Sequence, residues 1–175
     1  AYNKRTGAPV WTSLDDRQAY VAPMVATLAG TRQLLVVSAS RMMGLTLERG
    51  AVLWEYPWVT EYDINAAQPL VVGDNRVFMS SAYGVGAAVL EIAKAGERFS
   101  VREVWKNIRM KNKYSGSVLH DGHIYGLDEA ILACVDAATG EAAWTVATDN
   151  YVNGAPAVAG EKIVFGGCDG LLHVV

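Results

Sequence analysis

The sequence has little cysteine, little net charge and no long apolar run. Cys134 and Cys168 are its two cysteines. Neither sits in a Cys-x-x-Cys pair, and no histidine lies at metal-ligand spacing from either. That excludes a zinc site built on paired cysteines and a framework of several disulfides. Two thiols form at most one bridge, and a sequence does not give their separation. The expectation is two buried thiols, because cysteine packs as a small apolar residue. The net charge is −3, from 15 basic and 18 acidic residues. So small a balance gives no electrostatic case for nucleic acid or an anionic membrane surface. No apolar stretch approaches the roughly 18 residues of a membrane-spanning helix. No run of about 10 residues or more keeps a helical period. No Ser-His-Asp order and no paired catalytic carboxylate stands out, so no enzyme is read here.

What is present is a repeat. The chain is 51% hydrophobic and 19% charged over 175 residues, which suits one domain spanning residues 1–175. Trp11, Trp54, Trp105 and Trp144 stand 43, 51 and 39 residues apart. Periods near 40 to 50 residues point to propeller blades or helical arrays. Three copies share Gly-x-x-x-Trp: Gly7 with Trp11, Gly50 with Trp54 and Gly140 with Trp144. At Trp105 the preceding glycine is Gly96, which reads as the same unit carrying an insertion. Pro23, Pro69, Ser117 and Pro156 each open a short apolar segment after a tryptophan. Turns and two further strands follow each: "AGTR", "GDNR", "HDGH" and "AGEK" mark the turns. The segments are short, β-branched or aromatic, and punctuated by Gly and Asp, so the fold class is all-β. Four antiparallel strands per unit give a β-propeller with four blades in this chain. The segment around Trp11 supplies the strand that the blade begun at Asn153 still needs, within one chain or between two.

The glycine permits a turn with positive φ, and Trp lands on the outer strand. Burying such a ring removes about 150 to 250 Å2 from water, so each ring is expected to cover a junction between blades. Asp136 precedes Thr139 by three residues and Asn3 precedes Thr6 likewise, placing a side-chain acceptor for backbone N–H groups of the turn.

Ala1-x-Asn3-x-x-Thr6-Gly7-x-x-x-Trp11 and Cys134-x-Asp136-x-x-Thr139-Gly140-x-x-x-Trp144 resemble the tryptophan-docking motif of pyrroloquinoline-quinone (PQQ)-type propellers. The copy from Gly44 to Trp54 keeps only glycine and tryptophan, and the copy at Trp105 is interrupted. The resemblance implies structural docking roles for Gly7, Trp11, Gly50, Trp54, Trp105, Gly140 and Trp144. One branch of this family holds PQQ- and Ca2+-dependent alcohol and glucose dehydrogenases. The other holds cofactor-free propellers such as the outer-membrane-protein assembly lipoprotein. The adjacent cysteines of the alcohol dehydrogenases and a calcium-binding acid set are not found, so the chain resembles the cofactor-free branch, with no cofactor and no metal. The resemblance also implies an exported or periplasmic setting; the chain carries no signal-peptide pattern. Eight blades are usual in the family. A small four-bladed ring, two copies joined head to tail, or a piece of something longer each satisfy the count.

The loops that enter each blade read "DDRQAY", "TEYDIN", "IRMKNKY" and "TDNYVN". They line one channel mouth and carry Asp16, Arg17, Tyr20, Tyr62, Asp63, Asn65, Lys111, Lys113, Tyr114, Asp149, Asn150, Tyr151 and Asn153. Rigid scaffolds carry function on such loops, so these form the candidate binding set. Lys106, Arg109, Lys111 and Lys113 read as a solvated edge balanced by acids across the mouth. Gly84 and Gly86 in "YGVG" mark a turn or bulge rather than a phosphate loop, which would need a following helix. His120 and His123 flank a turn at the surface. The leading expectation is a non-catalytic scaffold that binds a protein or peptide at the mouth or at a strand edge. The alternative is a fragment or degenerate relative of a PQQ-dependent dehydrogenase.

Overall fold

A computed structural model describes residues 1–147, 154–166 and 170–174. Its strands follow the repeat. The first sheet runs β1 (Met24–Leu28), β2 (Thr31–Val37), β3 (Arg41–Leu45) and β4 (Val52–Pro57). The second runs β5 (Leu70–Val72), β6 (Arg76–Ser81), β7 (Gly86–Ala95) and β8 (Arg98–Asn107). The third runs β9 (Val118–His120), β10 (His123–Asp128), β11 (Ile131–Asp136) and β12 (Ala142–Ala147). The fourth holds β13 (Ala157–Ala159), β14 (Lys162–Gly166) and β15 (Leu172–Val174) among the described residues. Every neighbour pair is antiparallel and consecutive in sequence. The turns use the residues their backbone needs. At β9–β10 Asp121 and Gly122 both take positive φ, the twist that a two-residue hairpin requires.

Alternation sends side chains from one strand to two junctions. In β6, Val77 and Met79 join a core with Leu28, Leu35, Met42 and Trp54 of the first sheet. Phe78 between them joins a second core with Ile124 and Val135 of the third sheet. In β7, Leu90 and Ile92 face the first junction and Val89 the second. A third core sets Leu127 and Leu132 against Ile163 and Phe165. β6 and the first half of β7 are thus covered on both faces, and "VFM" and "AAVL" in them run without a polar break.

The tryptophans divide into two kinds. Trp11 reaches the β3–β4 turn of the first sheet, where its indole N–H donates to the Leu47 carbonyl at 3.0 Å. Trp105 reaches the β11–β12 turn and donates to the Ala137 carbonyl, also at 3.0 Å. Two residues beyond each ring, Ser13 and Asn107 donate to the carbonyls of Gly50 and Gly140, both at 2.8 Å. A Cβ on Gly50 or on Gly140 would lie 2.5 Å from a ring carbon. The motif glycine therefore serves twice. It takes positive φ, and it clears space for a ring arriving from the preceding repeat.

Trp54 lies in the core of the first junction, but its hydrogen bond does not reach the turn of the next repeat. It turns into its own sheet and donates to Gln33 Oε1 at 2.5 Å, in the space left by Gly44. The reason lies in the next repeat, where β7 and β8 extend to ten residues each. That carries the Gly96 turn outward, and nothing lies within 4 Å of where a Gly96 Cβ would sit. Tyr56 and Trp58 take over this junction, bonded to Glu103 at 2.5 Å and to Ser81 Oγ at 2.9 Å.

Asn3 and Asp136 cap their turns as the sequence implied. The Asp136 carboxylate accepts N–H bonds from Ala138 and Thr139, both at 2.8 Å, and these hold its pKa below the usual carboxylate range. Asn3 Oδ1 accepts from Arg5 and Thr6. Among the described residues the segment before β1 makes one strand-like pairing, a bridge between Tyr2 and Pro9, and pairs with no strand of the fourth sheet. Cys134 is a buried free thiol; Cys168 lies outside the described residues.

Candidate functional site

The loops entering the first three sheets converge at one end of the assembly. Tyr20 is tied to its neighbour by its backbone, whose N–H donates to the Asn65 carbonyl at 2.9 Å. Arg17 pairs with Asp63 across the two loops. A recess of about 110 Å3 is lined by Arg17, Gln18, Tyr20, Tyr62, Asp63 and Ile64. A second, of about 320 Å3, is lined by Tyr20, Ile64, Ala66 and Tyr114. The two share Tyr20 and Ile64 and form one shallow surface.

Tyr83 completes this surface, and the sequence reading missed it. It sits in the β6–β7 turn with φ +59°, a left-handed conformation that a bulky residue adopts only when its surroundings hold it there. Its ring meets Tyr62 edge-on at 5.4 Å, and the nearby Tyr114 hydroxyl pushes its pKa up. The Lys113 ammonium lies 5.4 Å from the Tyr114 ring centre and 5.9 Å from that of Tyr83. The ammonium thus lies over two of the four phenols that share this surface. Tyr20, Tyr62 and Tyr114 remain more than half exposed. The one signal in the sequence was an aromatic leading "YGVG", where glycine on either side of Val85 lets the turn present it.

The remaining mouth residues have other partners. Asn65 is buried, and its amide nitrogen donates to the carbonyls of Ser38 and Ala39. Its oxygen accepts from Ser81, so the side chain joins loops rather than facing the opening. Lys111 pairs with Asp128 at 3.3 Å and Glu129 at 3.5 Å. Asp149, Asn150, Tyr151 and Asn153 lie outside the described residues.

Asp16 is held by Arg41 through bonds of 2.8 and 2.6 Å and accepts from Ser38 at 3.0 Å. The Arg41 guanidinium keeps its carboxyl below the usual range, and Arg41 stays charged in return. A carboxylate with a lowered folded pKa contributes stability above its unfolded pKa, near 4, and loses it as pH falls through the folded value. Asp16→Asn should therefore be less stable than the wild type at neutral pH. The gap should close on acidification below about pH 4. Thermal melts across that range measure it.

Among the described residues no group of three or more His, Cys, Asp or Glu side chains could hold a metal ion. Among the described residues no helix is long and apolar enough to cross a membrane.

A family model described as outer membrane protein assembly factor BamB matches residues 1–146 and 102–174. The chain belongs to this family. BamB from Moraxella catarrhalis superposes with a TM-score of 0.68 at 14% identity, covering 97% of this chain and 50% of that one. The chain thus spans about half the length of that BamB structure. The computationally designed Ika4 protein superposes at TM-score 0.65 and 15% identity, over 97% of this chain and 98% of its own. The quinohemoprotein alcohol dehydrogenase ADHIIG from Pseudomonas putida HK5 superposes at TM-score 0.56 and 17% identity, over 83% of this chain and 22% of that one. No curated protein matches the sequence. At such identities the likeness to BamB and to the dehydrogenase is one of fold: four-stranded sheets of a PQQ-like β-propeller, in the order this chain lays them down.

Proposed function

We propose that this chain is a non-catalytic propeller scaffold that binds an extended peptide or protein segment at its tyrosine-lined mouth, in an exported or periplasmic setting. The observation that carries the reading is the surface shared by Tyr20, Tyr62, Tyr83 and Tyr114, with Lys113 over the rings of Tyr83 and Tyr114. Tyrosine offers a large apolar face and a polar tip at small entropic cost, the combination that favours protein recognition. The mouth's other two cations spend their charge on Asp63, Asp128 and Glu129. Lys113 lies over rings instead and meets no carboxylate among the described residues. Peptides carrying a carboxylate beside an aromatic or apolar residue fit this arrangement. The exported setting rests on family membership, since the family is described by an outer membrane assembly factor.

An array of short peptides, varied in charge and aromatic content, tests the reading. Binders should prefer carboxylates, and Lys113→Ala and Tyr114→Ala should each weaken them about tenfold, or about 1.4 kcal/mol. Binding indifferent to both substitutions would sink the mouth as the site. Adding PQQ with Ca2+ separates the dehydrogenase alternative, because a stoichiometric change in tryptophan fluorescence would favour that reading over a scaffold.

A further inference from the structure

The insertion before Trp105 plays no part at the mouth. It lengthens one hairpin: β8 has ten residues, whereas the outer strands β4 and β12 have six each. β7 begins beside the Tyr83 turn and runs away from it, so the Gly96 turn lies about 30 Å off along the strand. One face of this extension is anchored. Ile92 is buried in the first core, and Phe99 and Val101 pack against that core. The Lys94 ammonium lies 5.3 Å from the Phe99 ring centre and donates to Thr31 Oγ1 at 3.1 Å.

The opposite face is bare and cationic. Register sets Arg76 beside Glu91 and Glu91 beside Arg102, then Ala93 beside Ser100 and Ala95 beside Arg98. Paired residues share a face, so three guanidiniums stand there with one carboxylate. Arg76 and Arg102 both pair with Glu91, at 3.1 and 2.7 Å, and Arg102 remains 64% exposed. Arg98 is exposed and makes no ion pair among the described residues. Glu103 lies on the other face and is taken by Tyr56. The ladder from Arg98 to Glu103 is unbroken, and its bulge comes only beyond Glu103. β8 is the last strand of its sheet, so the outer edge of this stretch has no strand to pair with among the described residues.

We propose that this hairpin is a second docking surface, which takes an extended acidic segment of a partner protein as an added strand along Arg98–Glu103. Main-chain bonds to the open edge give affinity. Side chains of a strand alternate, so carboxylates two residues apart in the partner fall together on the arginine face, where Arg98 and Arg102 meet them. The receiving strand is already held against the first sheet, which lowers the ordering cost of binding. A polypeptide fits better than nucleic acid, which has no strand to add and meets a net charge of −3 on the whole chain.

The test uses the whole chain and a labelled peptide of about eight residues that alternates Glu with Thr, read by fluorescence anisotropy. The peptide should bind, and the amides of residues 98–103 should gain protection from hydrogen exchange. Arg98→Glu should weaken binding at least about tenfold, and Arg98→Gln should weaken it less; circular dichroism checks that both keep their sheet content. A peptide alternating Glu with Pro keeps the charge but loses half its N–H donors, so it should bind at least about tenfold more weakly. Tyr114→Ala should leave this binding unchanged, which separates failure here from failure at the mouth. No binding, binding that Arg98→Glu leaves intact or that Tyr114→Ala abolishes, equal binding of the Glu-Pro peptide, or tighter binding of oligonucleotides or anionic vesicles would each overturn the proposal.

Discussion

Gly86→Ala should lower the unfolding free energy by about 3 kcal/mol. Gly86 starts β7 with φ +88°, and an added Cβ would overlap the Asn107 carbonyl oxygen and stand 2.6 Å from Ile108 Cα. Both obstacles are backbone, so no rotamer change relieves them. The strain has two further outlets. Asn107 holds the Gly140 carbonyl, so the β8 shift that makes room also disturbs the joint under Trp105. The Ala82–Val85 turn that presents Tyr83 is set by the same Ser81–Gly86 pairing, so the mouth loses a wall. Gly73→Ala is the control. It also has positive φ, at +67°, but nothing lies within 4 Å of its Cβ position, so only the backbone term of about 1 kcal/mol applies. Urea melts of the two variants, compared at equal m-value, measure the difference. Equal costs would show that the clash at Asn107 relaxes freely.

Trp58→Ala should cost about 4 kcal/mol, in the range of buried Trp truncations. Trp58 is 2% exposed, lies among first-junction side chains and is covered by the Lys106 ammonium, 5.0 Å above its ring. Its N–H begins a chain of bonds: Trp58 to Ser81, Ser81 to Asn65 at 2.7 Å, and Asn65 to the Ser38 carbonyl at 3.0 Å. That chain ties the loop carrying Tyr62 to both the first and the second sheet. Truncation therefore loosens the mouth as well as the core. Trp58→Phe keeps most of the ring but leaves Ser81 without its donor, so it should cost about 1 to 2 kcal/mol. Calorimetry gives the stabilities, and hydrogen exchange at residues 60–66 reads the loop. If Phe and Ala cost the same, the bond chain rather than the volume sets the stability here.

These two residues also show where the sequence was readable. Trp11, Trp105 and Trp144 were visible because spacing is preserved when a repeat is copied. The strands were visible because each is bounded by turn residues with a required φ. Trp58 was not, because it belongs to no Gly-x-x-x-Trp unit. It matters only because lengthened β7 and β8 carry the Gly96 turn away and leave a junction for another ring to fill. For the same reason Trp54 bonds within its own sheet rather than to the next turn. At the mouth, Arg17, Asp63 and three tyrosines come together from loops that the pattern identified. Asn65 looks the same in sequence whether it faces a ligand or bridges two loops, and only its three partners tell which. Tyr83 was hidden because its position depends on a left-handed φ at a non-glycine residue, which composition does not signal.

Each joint draws its ring from one repeat and its receiving turn from the next. Duplicating a repeat within a gene therefore introduces one of each, and the numbers stay matched. Deleting one removes one of each. Lineages can in this way lengthen or shorten such an array without inventing new complementary surfaces, and mutational drift at one joint leaves the others able to form. At the Trp54 junction the long β7–β8 hairpin and the pair Tyr56 and Trp58 show that such an array can also close a joint with a neighbouring aromatic.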